Sequence, residues 1–183
     1  MTETNNTKET DTATAAAGPS RVRFAEPCDF DALMDLCCAL HQENGLFEMS
    51  RDRVREMLMK HFDMTGGMIG VIGPPGALEG AIVMHMSQMW YSDDWLLEEL
   101  FSYVKPEFRR SSNATDLIEF AKACAARIGV PLLIGIISNT RTEAKVGLYR
   151  RRLGTPAGAF FVANVGGARG PAAGLSQSAA AAA

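Results

Sequence analysis

The stretch FRRSSNATDLIEF, residues 108–120, carries groups suited to holding an anion. Arg109 and Arg110 supply positive charge, and Ser111, Ser112 and Asn113 supply side-chain donors. Ala114 and Thr115 then open a run with Leu117, Ala121, Cys124 and Ile128 at helical spacing. A strand-like segment, LLEELFSYV, comes just before. A strand, a tight turn and a helix N-terminus together hold phosphate, because the first helical amides lack intrahelical partners and the helix dipole stands behind them. Two features complicate that reading. Such turns are usually built with glycine, which allows a close backbone approach, and here the turn has none. Asn113 with Asp116 three residues on also reads as an ordinary helix cap.

The elements that must position this turn follow from the pattern on either side. RVRFAE is a short strand, and DFDALMDLCCALHQENG a helix capped by Asp29 or Asp31 and stopped by Gly45. MSRDRVREMLMKHF is a second helix with Val54, Met57, Leu58 and His61 on one face. GMIGVIG and LEGAIVMHMSQMWY are strands joined at a PPGA hairpin turn, and DWLLEELFSYV is a fourth strand. The helix from about Ala114 to Ile128 ends at Gly129, with Pro131 beyond. PLLIGIIS is an uninterrupted apolar run, expected of a strand buried on both faces. TRTEAKVGLYRRRLG gives a last helix and AFFVANV a last strand. The order predicts an α/β fold whose sheet is mostly antiparallel, with strands four and five parallel across the crossover helix.

The chain has 183 residues, 47% hydrophobic and 21% charged, which suits one soluble domain with its own core. Residues 1–20 are polar and read as a disordered tail; residues 167–183 are Gly/Ala low complexity and read the same way, leaving a folded domain over 21–166. No stretch reaches the roughly 18 apolar residues of a membrane span, and the N-terminus has no apolar signal region. A cytoplasmic protein is expected, or one of the host cytoplasm or virion if the chain is viral. Cys28, Cys37, Cys38 and Cys124 form no metal-ligand spacing with His41, His61 or His85, so no metal and free thiols are expected. Residues 21–104 carry a net charge of −8 and residues 105–152 a net charge of +6. The bland account is two solvated faces; the functional one is an anion site in the basic half opposite a site for a cation. The basic half lacks the interleaved aromatics of a nucleic-acid platform, so nucleic acid is not the expected partner.

LLEELFSYVKPEFRRSSNAT resembles the acetyl-CoA signature of the GNAT superfamily of N-acetyltransferases, V-x-P-x-x-[RQ]-x-x-G-x-[GA]. Val104, Pro106, Arg109 and Ala114 match it, and Ser112 replaces its first glycine. SNTRTEAKVGLYRRRLG is similar to the family's later segment through Asn139, Leu148, Tyr149 and Gly154, with about three extra residues before Tyr149. VRFAEPCDFDALMDL is similar to its first strand and helix. The resemblance spans nearly all of residues 21–166, and the chain also resembles phage-encoded members of the family.

The resemblance implies a GNAT-like sheet flanked by helices and an enzyme that transfers acetyl from acetyl-CoA to an amine by direct attack on the thioester. Backbone at Ser102, Tyr103 and Val104 would bind the acetyl and pantetheine portion, with Arg109, Arg110, Ser111, Ser112, Asn113, Ala114 and Thr115 at the pyrophosphate and Asn139 completing the cosubstrate site. Tyr149 would protonate the departing thiolate, its ordinary pKa of about 10 suiting that role. For the base, Glu98 is placed on one face of an alternating strand with Leu100, Ser102 and Val104; Glu99 on the other face and ordered water are the alternatives. Glu43, Glu48, Asp93 and Asp94 favour a cationic acceptor amine. A homodimer is compatible with this reading. The missing glycine, the longer segment before Tyr149 and the two tails motivate the other reading, a non-catalytic GNAT-fold binding or virion-assembly module. Met84, Met86, Met89 and Trp90 read as core, and Arg150, Arg151 and Arg152 as a solvated helix end.

Overall fold

The computed structural model describes residues 21–138 and 141–161; both expected tails and Asn139 lie outside the described residues. Its elements are β1 (Arg23–Phe24), α1 (Phe30–Asn44), α2 (Arg51–Phe62), β2 (Gly67–Ile72), β3 (Gly80–Gln88), β4 (Trp95–Val104), α3 (Asn113–Ile128), β5 (Leu132–Leu133) and α4 (Thr142–Leu153). The sheet runs β1-β2-β3-β4-β5. Its first three pairings are antiparallel and β4 pairs with β5 in parallel, as the element order predicts.

The local stops and starts have the expected chemistry. Ser50 caps α2 by accepting from the Arg53 amide, and α3 ends at Gly129 with φ +74°, a left-handed conformation that costs glycine little. Asp29, wholly buried, closes the turn before α1. It accepts from the amides of Glu26 and Gly76 and from both terminal nitrogens of Arg23.

Side chains alternate across the sheet, so each face acquires its own core. Ile69, Val71, Ala81 and Val83 pack with Leu33, Leu36 and Leu58 from α1 and α2. Ile72, Ile82, Met84, Leu97 and Val104 pack with Leu117 and Ala121 of α3. Each fully buried Leu or Ile in these layers contributes about 1.5–3 kcal/mol.

Three expectations need correction. β3 ends at Gln88, and past it Met89 and Trp90 are exposed (Trp90 94%) rather than core, because the chain has left the sheet by then. PLLIGIIS is not a doubly buried strand: only Leu132–Leu133 pair, both half-buried, and Ile137 is exposed, because the chain parts from β4 after two residues. Of the expected last strand, Ala159, Phe160 and Phe161 are exposed and not in a strand, and the remainder lies outside the described residues.

Candidate functional site

β4 is bulged. Val83 pairs with Phe101 but Met84 pairs with Glu99, so Leu100 is an extra residue without a partner on β3. The bulge changes which glutamate shares a face with the C-terminal half of the strand. Glu99, Ser102 and Val104 stand opposite Met84, Ile82 and Gly80, on the face covered by α3, whereas Glu98 stands opposite His85, on the α1 and α2 side. Simple alternation, which puts Glu98 with Ser102 and Val104, fails for this reason. On its other edge β4 pairs with β5 only at Leu97 and Glu98, so from Glu99 to Val104 that edge has no partner strand among the described residues.

Two cavities open along this free edge. The larger, about 590 Å³, includes Glu98, Glu99, Ser102, Lys145 and Tyr149 in its walls. The smaller, about 180 Å³, runs past Tyr103 and Val104 to Arg109 and Ala114 at the start of α3. Leu40, Ser102, Lys145 and Tyr149 line both, so they mark the junction.

At that junction the Tyr149 hydroxyl donates to Glu99 Oε1 at 3.4 Å, while Glu99 Oε2 is buried with no partner. Burial pushes the Glu99 carboxyl up to about 8, against the smaller opposing pull of the Tyr149 hydroxyl and the Gly135 amide. Burial, with Glu99 beside it, also raises the Tyr149 phenol above its ordinary value, so it stays protonated. Glu98 differs. Hydrogen bonds from His85 (3.1 Å) and Ser87 (2.8 Å) hold its carboxyl below the ordinary range, with burial opposing, so it is charged at neutral pH.

The side chains of the 108–115 turn are largely engaged with the protein. Arg109 donates to the Val104 carbonyl, pairs with Glu43 of α1 and lies 5.3 Å over the Tyr103 ring. Ser111 donates to the Phe108 carbonyl and accepts from the Asn113 amide. Ser112 has ordinary helical dihedrals (φ −77°, ψ −5°), and its hydroxyl donates to Asp116. Asn113 is buried and its side chain donates to Glu79. Arg110 is exposed and Thr115 half-buried. The amides of Ala114 and Thr115 have no hydrogen-bond partner among the described residues, and these are the groups a helix N-terminus offers an anion. Among the described residues no group of three His, Cys, Asp or Glu could hold a metal, and no helix is long and apolar enough to cross a membrane.

Sequence reasoning missed His85, which reaches Glu98 only through strand pairing, and Lys145. Lys145 stands four residues before Tyr149, a spacing that places both on one helix face and could have signalled it.

No family model matches the sequence, and no curated protein does. Solved structures do match in fold. A possible acetyltransferase from Clostridium difficile 630 is 16% identical, with 79% of this chain and 96% of that one covered and a TM-score of 0.61. The ribosomal-protein-alanine N-acetyltransferase of Brucella melitensis biovar Abortus 2308 is 14% identical, with 78% and 96% covered and a TM-score of 0.60. AAC(6')-Iy, solved in complex with the bisubstrate analog CoA-S-monomethyl-acetylneamine, is 12% identical, with 78% and 95% covered and a TM-score of 0.60. The fold is that of GNAT acetyltransferases.

Proposed function

We propose that this chain is a GNAT-superfamily N-acetyltransferase whose domain spans residues 21–166 and which transfers acetyl from acetyl-CoA to an amine. The observation that carries this reading is the free edge of β4, bulged at Leu100, running from a carboxylate-lined cavity to the N-terminus of α3. Pantetheine contains two amides in an extended chain. It can hydrogen-bond along an unpaired strand edge as a peptide would, here over Ser102, Tyr103 and Val104. The smaller cavity then leads the pyrophosphate past Arg109 to Ala114 and the open amides of Ala114 and Thr115. The acetyl group comes to the junction, where backbone amides near the bulge face the developing oxyanion.

Proton handling follows from the two carboxyl environments. Glu98, charged at neutral pH, draws in a cationic amine and takes its proton, with His85 and Ser87 fixing the carboxylate. Tyr149 keeps its proton until the thiolate departs and then donates it, with Glu99 orienting the phenol. The acceptor enters through the larger cavity, whose apolar walls include Leu40, Met49 and Met57.

A second reading, a GNAT-fold module without catalysis, is favoured by one observation. The turn's side chains are already taken up by carboxylates of the protein: Arg109 by Glu43, Ser112 by Asp116, Asn113 by Glu79. Calorimetry with acetyl-CoA and with CoA separates the two. Saturable micromolar binding, with CoA release on adding polyamines or aminoglycosides, is the expected result. No saturable heat up to millimolar ligand removes the enzyme and leaves the module.

A further inference from the structure

Among the described residues lining the two cavities Lys145 is the one primary amine, and it lines both. It stands one helical turn before Tyr149 on α4, so both side chains address the junction from the same side. Its ammonium is held in place rather than free to swing away. Nζ donates to Ser138 Oγ at 2.6 Å, and Ser138 in turn donates to the buried Asn44 of α1 at 2.9 Å. A lysine held where the two cavities meet, within one turn of the proposed thiolate acid, is arranged as an acceptor.

We propose that Lys145 is a self-acetylation site, its Nζ taking the acetyl group from acetyl-CoA bound in the smaller cavity; this rests on the acetyl-CoA reading above. The ammonium first gives one proton to solvent. The neutral Nζ attacks the thioester carbonyl, the N–C bond forms and the C–S bond breaks. Tyr149 donates its proton to the departing sulfur and is reprotonated by the proton the nitrogen sheds. The products are Nε-acetyllysine at 145 and free CoA, with no oxidant or further reactant. Burial lowers the Lys145 pKa, and Arg109 and Arg141 lower it further while Glu43 opposes them, so the neutral amine is more accessible than on an exposed lysine. Exposed Lys60, on α2 and in the wall of neither cavity, serves as the internal control for uncatalysed acetylation.

The test is a time course of the purified full chain with acetyl-CoA, read by peptide mass spectrometry, beside calorimetric titration of CoA. Lys145 is expected to gain one acetyl group about tenfold or more faster than Lys60, as expected for an amine held beside its electrophile. Its rate should saturate with acetyl-CoA, and excess CoA should suppress it. Labelling of Lys145 no faster than Lys60, in protein that binds CoA, overturns the self-acetylation and leaves the acetyl-CoA reading standing. Absence of CoA binding overturns both. The measurement needs only the wild-type chain, so no variant's folding enters the outcome; Lys145→Arg serves to confirm the site of the label.

Discussion

Replacing Glu99 with glutamine tests the environment at the centre of the site. Burial moves this carboxyl from its ordinary 4.5 to about 8. An acid with a raised folded-state pKa favours the fold while protonated. Below pH 4.5 it costs nothing; the penalty grows as pH rises, and it levels off above about 8. At pH 7 the unfolded carboxyl is ionised and the folded one is not. Holding that proton across about 2.5 pH units costs about 3 kcal/mol at 1.36 kcal/mol per unit. Glutamine has nearly the same shape, can accept from Tyr149 and carries no titrating proton. Urea unfolding of wild type and Glu99→Gln at pH 5 and pH 7.5 isolates the effect, because other titrating groups cancel in the difference. At pH 5 the two proteins should agree within about 1 kcal/mol, the net worth of a hydrogen bond. At pH 7.5, about 3 pH units above 4.5, the variant should be the more stable by about 4 kcal/mol at 1.36 kcal/mol per unit. Parallel pH dependence in the two proteins refutes the buried, raised carboxyl.

Other consequences are tested separately. Tyr149→Phe should slow acetyl transfer while leaving acetyl-CoA affinity by calorimetry nearly unchanged, since the hydroxyl acts on the leaving thiolate; an equal loss in both would make the tyrosine a binding group. Ser112→Gly frees the Asp116 carboxylate that the hydroxyl now holds, in the same helical turn as the amides offered to the pyrophosphate, and should weaken acetyl-CoA binding by about 1 kcal/mol; tighter binding in a titration at fixed salt would favour the non-catalytic module. Burial raises the Asp29 carboxyl, but the hydrogen bonds from Arg23 and the amides of Glu26 and Gly76 outweigh it and hold it at about 2 rather than 3.8. That stability is present above pH 3.8 and is lost as pH falls toward 2, so Asp29→Asn should lower unfolding stability by about 2 kcal/mol at pH 7 and by much less at pH 2.

Periodicity and turn chemistry alone reached the antiparallel first half, the parallel β4–β5 pair, the stop of α3 at Gly129 and the placing of the 108–115 turn at its start. Each is written within a few residues of where it acts: a 3.6-residue repeat, a capping serine, a glycine free to take φ +74°. What lies between distant residues could not be read that way. The extra residue at Leu100 exists only relative to β3, and it decides which glutamate joins Ser102 and Tyr149. Asn113 is cap-like by type yet spends its side chain on Glu79, and Arg109 pairs with Glu43 of α1, 66 positions away. β5 is apolar enough for a long buried strand, but its partner edge is shared for two residues only. Local sequence sets which backbone states are cheap. Strand register and the burial of charge depend on segments that meet only once the chain has folded, and they decide how the site is wired.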